Sequence, residues 1–115
     1  VQKAIRKAIA DTEHNTGLVV TVAFDYGSRA ELVRATQRAM AAGVVTKDSL
    51  TQNMYDPSMP AVDLLVRTSG ESRISNFMLW QITGSKVFFT ERTWPDFDAA
   101  ELDLALAAYS TGVSS

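Results

Sequence analysis

Asp63-Leu64-Leu65-Val66-Arg67-Thr68-Ser69-Gly70-Glu71-Ser72-Arg73-Ile74-Ser75-Asn76-Phe77 decides the fold of this chain, because it carries two arginines and several hydroxyls from one apolar segment straight into the next. Residues 62–66 have the short, apolar pattern of a buried strand, and residues 74–82 are too apolar for a surface loop and predict a buried helix. The loop between them is then a strand-to-helix crossing. In open α/β sheets, ligands bind beyond the carboxyl ends of strands, and the free N–H groups at the start of the following helix attract anions. Arg67 and Arg73 add planar forks of donors that keep their charge at any physiological pH, which suits a phosphate-bearing anion. Ser75 falls at the expected helix cap, where its hydroxyl and the N–H groups of Asn76 and Phe77 supply further donors. Glu71 is read as orienting an arginine. The alternative reading of the same residues is a solvated loop whose arginines pair with Glu71.

Outward from this loop, the chain alternates helices and strands. Residues 1–14 place Val1, Ile5, Ala8 and Ile9 at helical spacing, and Gly17 is a natural stop. Residues 18–24 are continuously apolar and β-branched, which predicts a central strand covered on both faces. Ser28 with Glu31 reads as a capping box for a helix through about Ala42, with Leu32, Val33, Thr36 and Met40 as its buried stripe. Residues 46–53 form a candidate short helix, and Pro57 and Pro60 enforce an extended connection. The second strand covers residues 63–67 and the third residues 86–90. A last helix, capped by Asp98 with Glu101, is expected to bury Leu102, Leu106 and Tyr109, and residues 111–115 are expected to fray. Alternating strands and helices imply a parallel sheet with right-handed crossovers. Three strands this apolar need more cover than the sequence provides, so an adjoining segment or partner is expected to complete the sheet.

The length of 115 residues fits one small domain, residues 1–115, and is too short for two. A hydrophobic content of 46% excludes a disordered chain. The net charge of −2 gives no reason to expect nucleic acid or an anionic membrane as partner, so any phosphate recognition has to be local. With no cysteine, disulfides and thiolate metal sites are impossible. No apolar run approaches the roughly 18 residues of a membrane span, and the first residues show no signal-peptide pattern. The expected location is cytoplasmic, with peripheral membrane contact allowed. His14, at a helix end, suits a dipole or solvent role. Asp25 either faces the cleft or closes the turn through Gly27, the turn being favoured. Phe77, Trp80 and Trp94 are read as core. The acidic residues form no paired acid/base or metal motif.

The run from Arg67 to Phe77, followed by Leu79-Trp80-Gln81 and then Trp94-Pro95-Asp96-Phe97, resembles the C-terminal signature of the cis-prenyltransferases, the undecaprenyl diphosphate synthase family. The earlier Asp25-Tyr26-Gly27-Ser28-Arg29-Ala30-Glu31 is similar to that family's Asn-Tyr-Gly-Gly-Arg-x-Glu turn. The resemblance implies a parallel α/β sheet with helices on both faces, of which this chain is the C-terminal half. It also implies that Arg67, Arg73 and Ser75 bind the diphosphate of isopentenyl diphosphate, with Glu71 and Asn76 in support and Arg29 in a structural role. The reaction implied condenses isopentenyl diphosphate with an allylic diphosphate, releases diphosphate and makes a new cis double bond, with magnesium sharing the charge.

The departures from the family pattern matter as much. The N-terminal Asp-Gly-Asn-Gly-Arg-type loop that grips the allylic diphosphate is absent, as is the Phe-Ser-x-Glu-Asn-type segment. Where the family usually places a magnesium-holding glutamate, this sequence has Lys86, and a protonated lysine has no lone pair to give. Three options follow: metal held by other groups, Lys86 on the diphosphate, or an impaired site. The tail lacks the family's arginine-rich segment. The expected protein is therefore a subunit or fragment of a cis-prenyltransferase that supplies the isopentenyl diphosphate site and turns over nothing by itself. Its expected partner is a second chain carrying the allylic-diphosphate loop, or a second copy if the chain is a fragment. The alternative is a non-catalytic subunit that stabilises a separate synthase.

Overall fold

Parallel pairing of two four-residue strands organises the molecule. In the computed structural model, which describes residues 1–111, β1 (Leu64–Arg67) lies beside β2 (Lys86–Phe89) with Leu64 opposite Lys86 and Arg67 opposite Phe89. The ladder runs on past both ends, from Lys86 N–H to the Asp63 carbonyl at 3.0 Å and from Thr90 N–H to the Arg67 carbonyl at 2.9 Å. Four helices accompany the sheet: α1 (Gln2–Thr12), α2 (Ser28–Ala41), α3 (Lys47–Gln52) and α4 (Ala99–Ser110). A single 3-10 turn, Trp94–Asp96, precedes α4. Helix α2 packs on α3, and α4 packs on β2.

Local chemistry explains the helix starts. Thr46 and Ser49 form a reciprocal capping box at α3, and the Asp98 carboxylate accepts the Glu101 N–H at 3.0 Å to open α4. At α2 the expected capping box is not what forms. The cap position is Gly27, and Ser28 and Glu31 turn inward to other partners. The buried line of α2 is Ser28, Glu31, Ala35 and Ala39, whereas Val33 and Met40 face outward and Leu32 and Thr36 are half-buried. Both stripes obey helical periodicity. The small alanines allow close approach, and Glu31 finds hydrogen-bond donors that make its burial tolerable.

Two further expectations are corrected. Residues 18–24 pair with no strand among the described residues, and Leu18, Val19 and Val20 are 90%, 86% and 75% exposed. A strand needs neighbours for its backbone donors and cover for its side chains, and the described residues offer this segment neither. Residues 74–82 form bends and turns instead of a helix. The backbone at Asn76 and the N–H of Leu79 bond to Ser28, and Met78 takes φ 49°, a left-handed value that interrupts a right-handed helix. Of that stretch, Ile82 is buried while Ile74 and Phe77 stay exposed. Trp94 is likewise exposed, stacked on Phe97 at 5.8 Å, and Trp80 is half-buried with its indole N–H on Thr51.

The apolar cover is incomplete in the same way at both ends of the chain. Helix α1 buries none of its residues, and in α4 only Ala105 is buried while Leu102, Leu106 and Tyr109 remain partly exposed. Apolar residues left open on a helix, on one face as in α1 or on several as in α4, call for cover from a larger body. The fraying expected for 111–115 falls, beyond Thr111, outside the described residues.

Candidate diphosphate-binding site

Arg67 ends β1, so the loop that follows leaves the sheet at the carboxyl edge of both strands. Two backbone bonds pin it there. Ser69 N–H reaches the Arg92 carbonyl at 2.7 Å, and Gly70 N–H reaches the Thr90 carbonyl at 2.9 Å. The anchoring segment is itself fixed, since Thr90 Oγ1 donates to Glu101 Oε2 at 2.9 Å and Arg92 pairs with the other oxygen of Glu101 at 3.5 Å. The loop turns through two successive left-handed residues, Ser69 at φ 68° and Gly70 at φ 69°.

Gly70 is required on two counts. A β-carbon there would stand 2.6 Å from Glu91 Oε2, and its φ disfavours any L side chain. Because the Glu91 carboxylate can swing aside, the backbone term dominates. Gly70→Ala is expected to cost about 1–2 kcal/mol of stability in urea unfolding of the assembly that carries this chain, and to loosen anion binding because the loop shifts; an unchanged midpoint would show that the turn is less constrained than its geometry.

Beyond the loop, the arginines flank one short spine. A cleft of about 260 Å³ is lined by Leu65, Val66, Arg67, Ile74, Ser75 and Phe77. A second, wider one of about 500 Å³ is lined by Arg29, Arg73, Ile74, Ser75, Asn76 and Leu79. Ile74 and Ser75 border both, with Arg67 in the first cleft and Arg73 in the second. Arg67 is half-buried, and its Nε is buried with no hydrogen-bond partner among the described residues. A buried donor left unsatisfied is costly and calls for an acceptor. Arg73 is exposed and donates through Nε to Glu71 Oε2 at 3.0 Å, a contact that the orienting role of Glu71 and the solvated-loop alternative share.

The helix N-terminus beside the site is that of α2. Asn76 accepts Ser28 N–H at its carbonyl, 3.0 Å, and Arg29 N–H at Oδ1, 2.8 Å, while Ser28 Oγ accepts Leu79 N–H at 2.8 Å. Asn76 is thus a fastener between two loops more than a donor to ligand. Gly27, whose β-carbon would meet the Asn76 amide at 2.9 Å, lets the two come this close.

Behind the fastener lies the residue that the sequence reading missed. Glu31, 2% exposed, accepts Tyr26 Oη at 2.5 Å, Tyr55 N–H at 2.8 Å and Gln81 Nε2 at 3.2 Å. Tyr26 in turn meets Tyr55 and Phe77 edge-on. Burial pushes the Tyr26 hydroxyl above its usual value near 10, and its bond to Glu31 adds to the rise. The Asn-Tyr-Gly-Gly-Arg-x-Glu-like block held the signal for this hub, but its glutamate reads equally as a cap.

Of the other candidates, Asp25 adopts φ 49°, in keeping with the turn role. His14 is exposed beside Glu13. Lys86 opens β2, about 10 Å along the strand from the loop end at three residues' rise, and its ammonium donates to the Tyr109 carbonyl at 2.6 Å beneath that residue's ring. It closes the C-terminal turn of α4, where a cation is favoured. As a magnesium ligand this position does not fit: the side chain is a donor, already engaged. Among the described residues no group of three or more His, Cys, Asp or Glu is placed to hold a metal ion. No helix among them is long and apolar enough to cross a membrane.

A parallel β-α scaffold that delivers arginines and a serine from the carboxyl edge of its sheet defines an α/β protein with an arginine-bearing loop at that edge. The relatives make the family specific. Residues 1–113 match a family model of prenyltransferases described as undecaprenyl diphosphate synthase. An isoprenyl transferase of Ralstonia nicotianae is 47% identical over 95% of this chain and 45% of its own length. One of Neisseria gonorrhoeae is 41% identical over the same shares of the two chains. The crystal structure of lavandulyl diphosphate synthase from Lavandula x intermedia superposes with a TM-score of 0.83 at 33% identity, across 94% of this chain and 50% of that one. The chain belongs to this prenyltransferase family, and it spans about half the length of the relatives it matches.

Proposed function

We propose that this chain supplies the isopentenyl diphosphate site of a cis-prenyltransferase. The observation that carries the reading is Arg67, which ends β1, lines one cleft with Ser75 and keeps a buried Nε that no acceptor among the described residues satisfies. In the reaction, the allylic C–O bond to diphosphate breaks, a carbon–carbon bond forms to the double bond of isopentenyl diphosphate, and a proton leaves to set the new cis double bond. Arg67 and Ser75 would hold the acceptor's diphosphate while Arg73, steadied by Glu71, shields its charge. Fixed donors of this kind lower the barrier by positioning and by stabilising charge already in place. One structural relative is described in complex with dimethylallyl diphosphate, an allylic diphosphate of the kind the proposed partner substrate would be.

The test is calorimetric titration of isopentenyl diphosphate against the assembly that carries this chain. Arg67→Ala and Arg73→Ala are each expected to weaken binding about tenfold to a hundredfold, the worth of about 1.4–2.7 kcal/mol of charge-assisted hydrogen bonding. Unchanged affinity in both variants removes the assignment.

A second reading, a non-catalytic subunit that stabilises a separate synthase, draws on Lys86, whose engagement with Tyr109 gives this position a structural use where the family pattern has a metal ligand. It predicts that Arg67→Ala leaves the turnover of the assembly intact.

A further inference from the structure

Arg29 has no accounting in the fold. It is exposed in the first turn of α2, and its guanidinium has no hydrogen bond or ion pair among the described residues. A cation at that end of a helix is opposed by the helix dipole, so local folding favours another residue there. Yet its backbone is held firmly, by Asn76 Oδ1 at 2.8 Å and through the neighbouring Ser28, which bonds the Asn76 carbonyl and the Leu79 N–H, and Arg29 lines the 500 Å³ cleft with Arg73, Ser75 and Asn76.

The two clefts share the wall formed by Ile74 and Ser75. An anion with one phosphoryl group can lie on one side of that wall. A diphosphate offers two phosphoryl groups, one for the cleft of Arg67 and Ser75 and the other for the wider cleft. There Arg73 is already partnered by Glu71, which leaves Arg29 as the guanidinium with all of its donors free. We propose that Arg29 is a third diphosphate-binding residue, the one that makes the site select a diphosphate over a monophosphate. The inference rests on the diphosphate reading of Arg67 and adds to it the residue that reads the second phosphoryl group.

The probes are inorganic pyrophosphate and inorganic phosphate, titrated calorimetrically against the assembly that carries this chain, with Arg29→Ala, Arg29→Lys and Arg67→Ala variants and thermal unfolding of each. Arg29→Ala is expected to weaken pyrophosphate binding at least tenfold and phosphate binding less than twofold. Its thermal midpoint should be unchanged or slightly raised, because a charge opposed by the dipole is gone. Arg29→Lys should recover part of the pyrophosphate affinity. If Arg29→Ala binds pyrophosphate as the parent does while Arg67→Ala is weakened, the role of Arg29 is overturned and the site stands. If Arg29→Ala loses affinity for both anions alike and also melts earlier, Arg29 is structural and the inference again fails. If the parent and all variants bind pyrophosphate equally or not at all, the diphosphate reading itself falls, and this one with it.

Discussion

Replacing Glu31 with alanine is expected to lower the unfolding free energy by about 3 kcal/mol or more, the largest effect of any single substitution considered for this chain. The carboxylate satisfies three donors that come from three places: Tyr26 just before α2, Tyr55 after α3, and Gln81 in the turns that follow the anion loop. Without it the Tyr55 N–H is left without an acceptor, and a buried unsatisfied donor costs about 1–3 kcal/mol. The Tyr26 hydroxyl can rotate and the Gln81 amide can swing, so their losses are smaller, but an alanine also leaves a cavity at a buried position. Glu31→Gln keeps the volume and one acceptor oxygen, and should cost about half as much. Urea unfolding of the assembly that carries this chain, followed by circular dichroism, reads both. A Glu31→Ala variant within 1 kcal/mol of its parent would mean that water replaces the carboxylate and that the hub is dispensable. The variant should also bind diphosphate more weakly, since α2 holds Asn76 and so sets where Ser75 stands.

Some parts of this structure were legible in the sequence because their causes are local. Thr46 and Ser49, or Asp98 with the Glu101 N–H, cap helices with atoms a few residues apart, and the starts of α3 and α4 follow from them. The strands around Leu64 and Lys86 announce themselves by short apolar runs beside turn residues, and the loop from Arg67 to Ser75 by the density of donors it carries. What was illegible depends on distant partners. Glu31 shows the same spacing whether it caps its own helix or accepts from Tyr55 and Gln81, and only the fold chooses between these. Residues 74–82 have helical composition, but Ser28 takes bonds at Asn76 and Leu79 that a helix would need. Lys86 departs from the family pattern, and the sequence leaves three uses for it open; contact with the Tyr109 carbonyl across 23 positions supplies a fourth.

By itself, the 115-residue chain is expected to bind a hydrophobic dye strongly, to unfold without a sharp transition, and to show no prenyl transfer. Leu18, Val19, Val20, Val22 and Phe24 all lie open, and nothing among the described residues pairs with their backbone. Full burial of a large apolar side chain contributes about 1.5–3 kcal/mol, so these five alone forgo on the order of 10 kcal/mol, as much as the whole stability of an ordinary domain. Helices α1 and α4, with Ile9, Leu104 and Leu106 also uncovered, enlarge the deficit. A two-stranded sheet is not independently stable, so the arginine loop at its edge is only as rigid as whatever covers residues 18–24. The relatives of this chain are about twice as long as the part it matches, and a polypeptide with the remaining half of such a relative is the natural source of cover. Adding it should quench dye binding, sharpen the melt and, where the allylic-diphosphate loop comes with it, start turnover. A cooperative melt and robust transfer by the 115 residues without any addition would show instead that the open apolar face closes on itself, and the half-fold view would have to be abandoned.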